Sequence, residues 1–148
     1  MAIKRELIEK KLYNLKDFLK RIEAMNFDLQ ELLEDPDTQD LLVFRFQQAV
    51  EICVDIATHI IAGLDLPRKE TAKDAVLLLG EEKIISKKLT SRLGEAIDFR
   101  NIVVHHYDDV FNFEILFKDY RNNLDDLRQF AKEVFTFLEK ETRDKLVT

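Results

Sequence analysis

Cysteine is nearly absent from this 148-residue chain. Cys53 stands alone, so no disulfide framework and no cysteine zinc site can form within one chain, and its expected place is the core. Glycine and proline are almost as scarce, at 3 and 2 residues. A turn-rich β fold needs more of both, so the shortage favours long helices. No apolar run approaches the roughly 18 residues of a membrane span. The opening MAIKRELIEKK is charged from its fourth residue and holds no apolar stretch of a secretory signal. A soluble cytoplasmic protein is expected. Excess positive charge is missing too: the formal net charge is −6, which argues against a generic nucleic-acid coat protein. A local phosphate site, or a more basic protein partner, remains compatible with that charge.

What is present is a helical pattern. Apolar residues make up 46% and charged residues 35%, the balance of a globular chain, and the length suits a single domain over 1–148. Four segments carry apolar residues at alternating steps of three and four. The first runs Ile8, Leu12, Leu15, Leu19, Ile22, Leu29, Leu33, with Asn26 at its one polar position. The second runs Leu42, Phe46, Ala49, Cys53, Ile56, Ile60. The third runs Ile85, Leu89, Leu93, Ala96 and then Arg100. The last runs Phe113, Phe117, Tyr120, Leu124, Leu127, Ala131, Val134, Leu138. Asp35 before Pro36 reads as a helix cap followed by a first-turn proline, Thr71 and Asn112 as further caps, and Gly63 and Gly80 as helix ends. Breaks near 36, 66 and 109 disfavour one long coiled coil. The expected fold is all-α: an antiparallel bundle of four main helices plus one short helix over 71–80, with spare apolar surface for a dimer.

The stretch RNIVVHHY, residues 100–107, puts a charged side chain in an apolar seam. On a wheel of about 100° per residue, Leu89, Leu93, Ala96, Ile97, Val103, Val104 and Tyr107 fall within roughly 60° of Arg100. Asn101 and His105 lie to one side of it, about 40° apart from each other, and His106 lies to the other side. An unpaired charge in such a stripe costs several kcal/mol, so something compensates it. One answer is a carboxylate: Asp98, Glu95 or Glu51. The other is a bound phosphate, which the planar, permanently charged guanidinium suits. His105 adds a group that takes or gives a proton near neutrality. Arg100 to hold a phosphodiester and His105 to take a proton from a ribose 2′-OH suffice for RNA cleavage without a metal. One helix places the two about 140° apart, so two copies facing across a dimer make the better site.

Arg100-Asn101, three residues, His105, one residue, Tyr107 resembles the signature of HepT-like toxins of the HEPN superfamily, which are all-α ribonuclease domains. The helix FRFQQAVEICVDIATHIIAGLDLP, the short helix ending in LLLG and the segment DFRNIVVHHYDDV are similar to that family in order as well. The resemblance implies a homodimer with a composite cleft and an RNA substrate cut by 2′-OH attack, with no metal and no cofactor. It implies that Arg100 binds the scissile phosphate, that His105 is the general acid or base, and that Asn101 supports their geometry. It further implies a cognate minimal nucleotidyltransferase antitoxin that silences the toxin by adding AMP to Tyr107, where bulk and negative charge block RNA.

Three competing readings follow. The first is a ribonuclease toxin of a toxin–antitoxin pair. The second is a non-catalytic module that holds a nucleotide or docks a nucleotidyltransferase; the acidic net charge favours it. The third is a plain bundle with an arginine–carboxylate pair. His106 occupies a variable place in the signature. His59 reads as a surface residue, and Glu51 and Asp55, one turn apart, read as solvated acids, with Glu51 also a candidate to salt-bridge Arg100 and tune it. Lys87, Lys88 and Arg92 either extend a basic rim for RNA or form a solvated face.

Overall fold

The computed structural model describes residues 3–106 and 112–147, and within them the side chains of all but 103–106 and 145–147. Among the described residues there are six helices: α1 (Arg5–Glu23), α2 (Leu29–Glu34), α3 (Pro36–Gly63), α4 (Ala72–Glu81), α5 (Lys87–His106) and α6 (Phe113–Val147). The periodic seams supply the core. Ile8, Leu12, Leu15, Leu19 and Ile22 of α1 are buried, as are Leu42, Phe46, Ala49, Cys53, Ile56 and Ile60 of α3. From α6 the buried set is Leu116, Tyr120, Leu124, Leu127, Phe130, Ala131, Val134 and Leu138, with Phe113 and Phe117 packed against it. Cys53 is a core residue whose thiol burial pushes far above its ordinary value, so it stays protonated.

The first seam does not continue as one helix. The helical path stops at Glu23 and resumes at Leu29. Asp28 starts the new turn by accepting from the Glu31 N–H at 2.8 Å. The break shifts the phase of the pattern: Leu32 is buried at 0% exposure, while Leu33 is 43% exposed. Phe27, in the connection, stacks on Tyr120 and meets Phe117 edge-on, so the loop is pinned to α6. A second short helix therefore joins the bundle.

The capping expectations hold. Asp35 closes α2 and opens α3, accepting from Asp37 N–H at 3.1 Å and from the Thr38 hydroxyl at 2.8 Å, with Pro36 in the first turn. Thr71 accepts from Asp74 N–H, and Asn112 accepts from the N–H groups of Glu114 and Ile115. α3 ends on Gly63 as expected, whereas α4 runs one residue past Gly80. Gly80 lies within the last turn of α4, and the residue with positive φ there is Lys83. A Cβ on Gly80 would stand 2.3 Å from Thr90 Oγ1, so this glycine lets α4 and α5 touch.

That contact, together with the start of α5, sets the direction of the helix that carries the signature. Ser86 N–H donates to Glu133 Oε1 of α6 at 2.6 Å, and Ser86 Oγ accepts from Leu89 N–H at 3.2 Å. Arg92 pairs with the buried Asp126 of α6. α5 is thus fixed on α4 at Gly80 and on α6 at two points before its chain reaches Arg100.

Candidate functional site

Arg100 lies four turns into α5, where the seam leaves the α4 contact and meets α3. The preceding residues Leu89, Leu93, Ala96 and Ile97 are all buried, so Arg100 continues a core stripe. Phe99 packs edge-on against Phe46 of α3, with ring centroids 6.0 Å apart, which closes α5 onto α3 at this level. The Arg100 side chain is only 13% exposed, and its Nη1 pairs with the Glu51 Oε1 of α3. Glu51 itself is 44% exposed, so the pair sits at the boundary between core and solvent.

The carboxylate that answers the seam arginine is therefore Glu51. Asp98 pairs instead with Lys73 of α4 at 2.7 Å, and Glu95 is exposed. The pairing is incomplete on the arginine side, because Nε is buried and has no hydrogen-bond partner. A buried N–H without an acceptor costs more than a hydrogen bond returns, so a native site that tolerates one calls for an explanation. Burial also lowers the guanidinium below its ordinary pKa, yet an arginine starts so high that it remains a cation.

Asn101 follows Arg100 on α5 and is exposed. Ile102 is an exposed apolar side chain as well, two residues on from Arg100 and so about 160° away from it round α5. On α3, Phe44 is another exposed apolar residue. It precedes Glu51 by seven positions, which puts the two on one face of the helix, about 20° apart. The His105 and His106 side chains lie outside the described residues, although α5 carries their backbone. Tyr107 lies outside the described residues altogether.

The remaining candidates fall away from Arg100. His59 is half-buried and near Asp55, with 3.5 Å between Nε2 and Oδ1, while Asp55 also pairs with Lys11. Glu51 and Asp55 thus serve separate partners despite lying one turn apart. Lys87 and Lys88 are exposed at the start of α5, roughly 20 Å of helix away from Arg100. Arg92 is engaged by Asp126. These basic residues form a solvated, partly paired face and no rim at Arg100. Among the described residues, no group of three or more His, Cys, Asp or Glu side chains is placed to hold a metal ion.

A family model described as ribonuclease HepT-like matches residues 8–134, a span that takes in Glu51, Arg100 and the whole RNIVVHHY stretch. The chain belongs to the HepT-like ribonuclease family. It is 30% identical over 125 residues to the mRNA nuclease HepT of Shewanella oneidensis, a match covering 84% of this chain and 93% of that protein. It is 29% identical over 94 residues to the tRNA nuclease HepT of Aphanizomenon flos-aquae, covering 64% of this chain and 63% of that protein. Its fold is similar to that of the tri-AMPylated Shewanella oneidensis HEPN toxin solved in complex with its MNT antitoxin. The TM-score is 0.80 at 29% identity, over 87% of this chain and 96% of that one. The all-α, HEPN-type architecture expected from the signature is the one found. Among the described residues no helix is long and apolar enough to cross a membrane.

Sequence reasoning missed the Phe46–Phe99 contact; it offered Glu51, Asp98 and Glu95 together and singled out Glu51 as a salt-bridge partner that tunes Arg100, and Glu51 is the partner found. The separating signal is in the α3 sequence: Glu51 flanks the buried pair Ala49 and Val50, at the edge of the core stripe, whereas Asp98 and Glu95 face away from α3.

Proposed function

We propose that this HepT-like chain is the toxin of a toxin–antitoxin pair, a homodimeric endoribonuclease that cuts RNA by 2′-OH attack and needs no metal. A base takes the 2′-OH proton, the 2′-oxygen bonds to phosphorus, and the P–O5′ bond breaks. An acid returns a proton to the 5′-oxygen, leaving a 2′,3′-cyclic phosphate and a 5′-OH. Arg100 binds the scissile phosphate and stabilises the charge that builds on it. His105 is the general acid or base, Asn101 supports their geometry, and a second copy supplies the opposing set of groups. The observation that carries the reading is Arg100 itself. It is a recessed cation with an unsatisfied Nε, held at the solvent boundary of the helix that bears the complete family signature. The exposed apolar side chains Ile102 of α5 and Phe44 of α3 support an interface with a second copy.

The likeness to an AMPylated toxin bound to an MNT antitoxin supports the same form of control here. A minimal nucleotidyltransferase antitoxin transfers AMP to the Tyr107 hydroxyl, placing an anion and a bulky nucleoside in the cleft. The site is cytoplasmic in this reading, where both RNA and antitoxin are.

A second reading is a docking module without catalysis, favoured by the net charge of −6 and by the carboxylate already on Arg100. The two part on one experiment. Purified protein, shown by mass spectrometry to carry no AMP on Tyr107, is incubated with total RNA in EDTA beside Arg100→Ala and His105→Ala. Cleavage by the parent alone, with both variants folded, supports the ribonuclease. Failure of the clean parent on RNA from several sources moves the conclusion to docking.

A further inference from the structure

The ion pair at the site has a feature that the nuclease reading does not require. Arg100 can present parallel N–H donors to one carboxylate, the strong fork-like arrangement of arginine ion pairs. Here Glu51 engages Nη1, and Nε is left over. The fork that would use Nε is therefore not formed. The two partners are also unequal. Arg100 is shielded by the packing of α5 on α3 and cannot leave without opening that contact. Glu51 has nearly half of its side chain in water and can swing out with its charge solvated. No other carboxylate is available to take its place from α5, since Asp98 is held by Lys73 and Glu95 points to solvent.

We propose that Glu51 is a positioning residue that masks Arg100 in the resting protein, and that an incoming phosphate group must displace its carboxylate from Nη1. The displacing phosphate is taken to be that of RNA, which rests on the ribonuclease reading above; the masking itself does not. Glu51 keeps the buried cation neutralised while the site is empty, which removes the cost of an uncompensated charge. It also sets a threshold, because a phosphate gains Arg100 only by outcompeting an anion already seated there.

The test labels arginines with phenylglyoxal, an arginine-selective dicarbonyl, and follows Arg100 by peptide mass spectrometry in the parent, Glu51→Gln and Glu51→Asp. Inorganic phosphate is the competing anion. Glu51→Gln keeps the size and loses the charge, so Arg100 labelling should quicken by roughly threefold or more. Phosphate should then protect Arg100 at a correspondingly lower concentration. Glu51→Asp, which keeps the charge, should stay close to the parent. Arg92, two turns earlier on α5 and paired with Asp126, is the internal control and should not change. Equal Arg100 labelling in parent and Glu51→Gln overturns the proposal, as does a parallel rise at Arg92, which would report a loosened helix. Unchanged phosphate protection overturns it as well. Affinity for a 2′-O-methylated RNA oligonucleotide separates the two layers. If Arg100 is unmasked toward phosphate but no variant binds the oligonucleotide, the masking stands and the ribonuclease reading falls.

Discussion

Arg100 of α5 and Glu51 of α3 form an ion pair in which the cation is shielded and the anion is half in water. That asymmetry decides how Arg100→Ala should behave. Losing a shielded cation from a deeply buried pair would strand a charge and unfold the protein. Here the stranded group is Glu51, which relaxes into solvent, and the unsatisfied Nε disappears with the arginine. The stability change should stay within about 1 kcal/mol. RNA cleavage should fall by roughly 10²–10³-fold, the effect of removing a donor from a developing oxyanion. Thermal melts and cleavage rates on the same preparation check both halves. A large melt shift with proportionate loss of activity would return Arg100 to a structural role.

His105→Ala should cost about 10²–10⁴-fold in cleavage rate, the usual share of a general acid or base. EDTA should leave the parent's rate unchanged. A dependence on added divalent ion would rule out the metal-free mechanism, whatever the histidine variant does.

Tyr107→Phe removes only the hydroxyl that accepts AMP in the proposed control. The variant should cut RNA in the presence of ATP and the cognate nucleotidyltransferase, whereas the parent should fall silent. Intact-mass measurement gives the check: a gain of AMP on the phenylalanine variant would place the modification elsewhere.

Most of the fold was legible because one signal, apolar spacing, is read locally and repeats over many turns. The seams through Ile8 to Ile22, Leu42 to Ile60 and Tyr120 to Leu138 are buried as their periodicity requires. Caps were legible for the same reason, since Asp35, Thr71 and Asn112 act on N–H groups two or three residues away. The site was legible as a motif but not as a set of contacts. Which carboxylate meets Arg100 depends on where α3 lies against α5, and that is fixed by distant contacts: Gly80 on Thr90, Ser86 on Glu133, Arg92 on Asp126. The break at 24–28 escaped notice because Leu29 and Leu33 keep the spacing of the first seam by coincidence.

That coincidence makes a sharp test of the register. The interrupted path buries Leu32 and exposes Leu33, whereas a continuous helix would bury Leu33. Leu32→Ala should cost about 2–5 kcal/mol, the range for a core leucine that leaves a cavity. Leu33→Ala should fall within about 0.5 kcal/mol of the parent. Denaturant titration of both variants decides it, and the reverse ranking would restore one continuous first helix.

The close approach of α4 to α5 yields the last prediction. Gly80 of α4 faces Thr90 of α5, and a Cβ at position 80 would also stand 2.8 Å from Thr90 Cγ2. Thr90 cannot step aside freely. Its side chain is buried, and its hydroxyl donates to the Ser86 carbonyl at 2.7 Å. An alanine would normally help a helix interior by about 1 kcal/mol over glycine. At this position the clash should outweigh that gain, for a net loss of about 1–3 kcal/mol, the range for overpacking a tight core. Shrinking the partner should reverse the sign of the interaction. Gly80→Ala combined with Thr90→Ala should be more stable than the two single losses added together, because the added methyl then has room. A double-mutant cycle by chemical denaturation measures this. Additive losses would mean that α4 and α5 separate to relieve the clash, and the end of α5 bearing Arg100 would then shift against Glu51, lowering RNA cleavage along with stability.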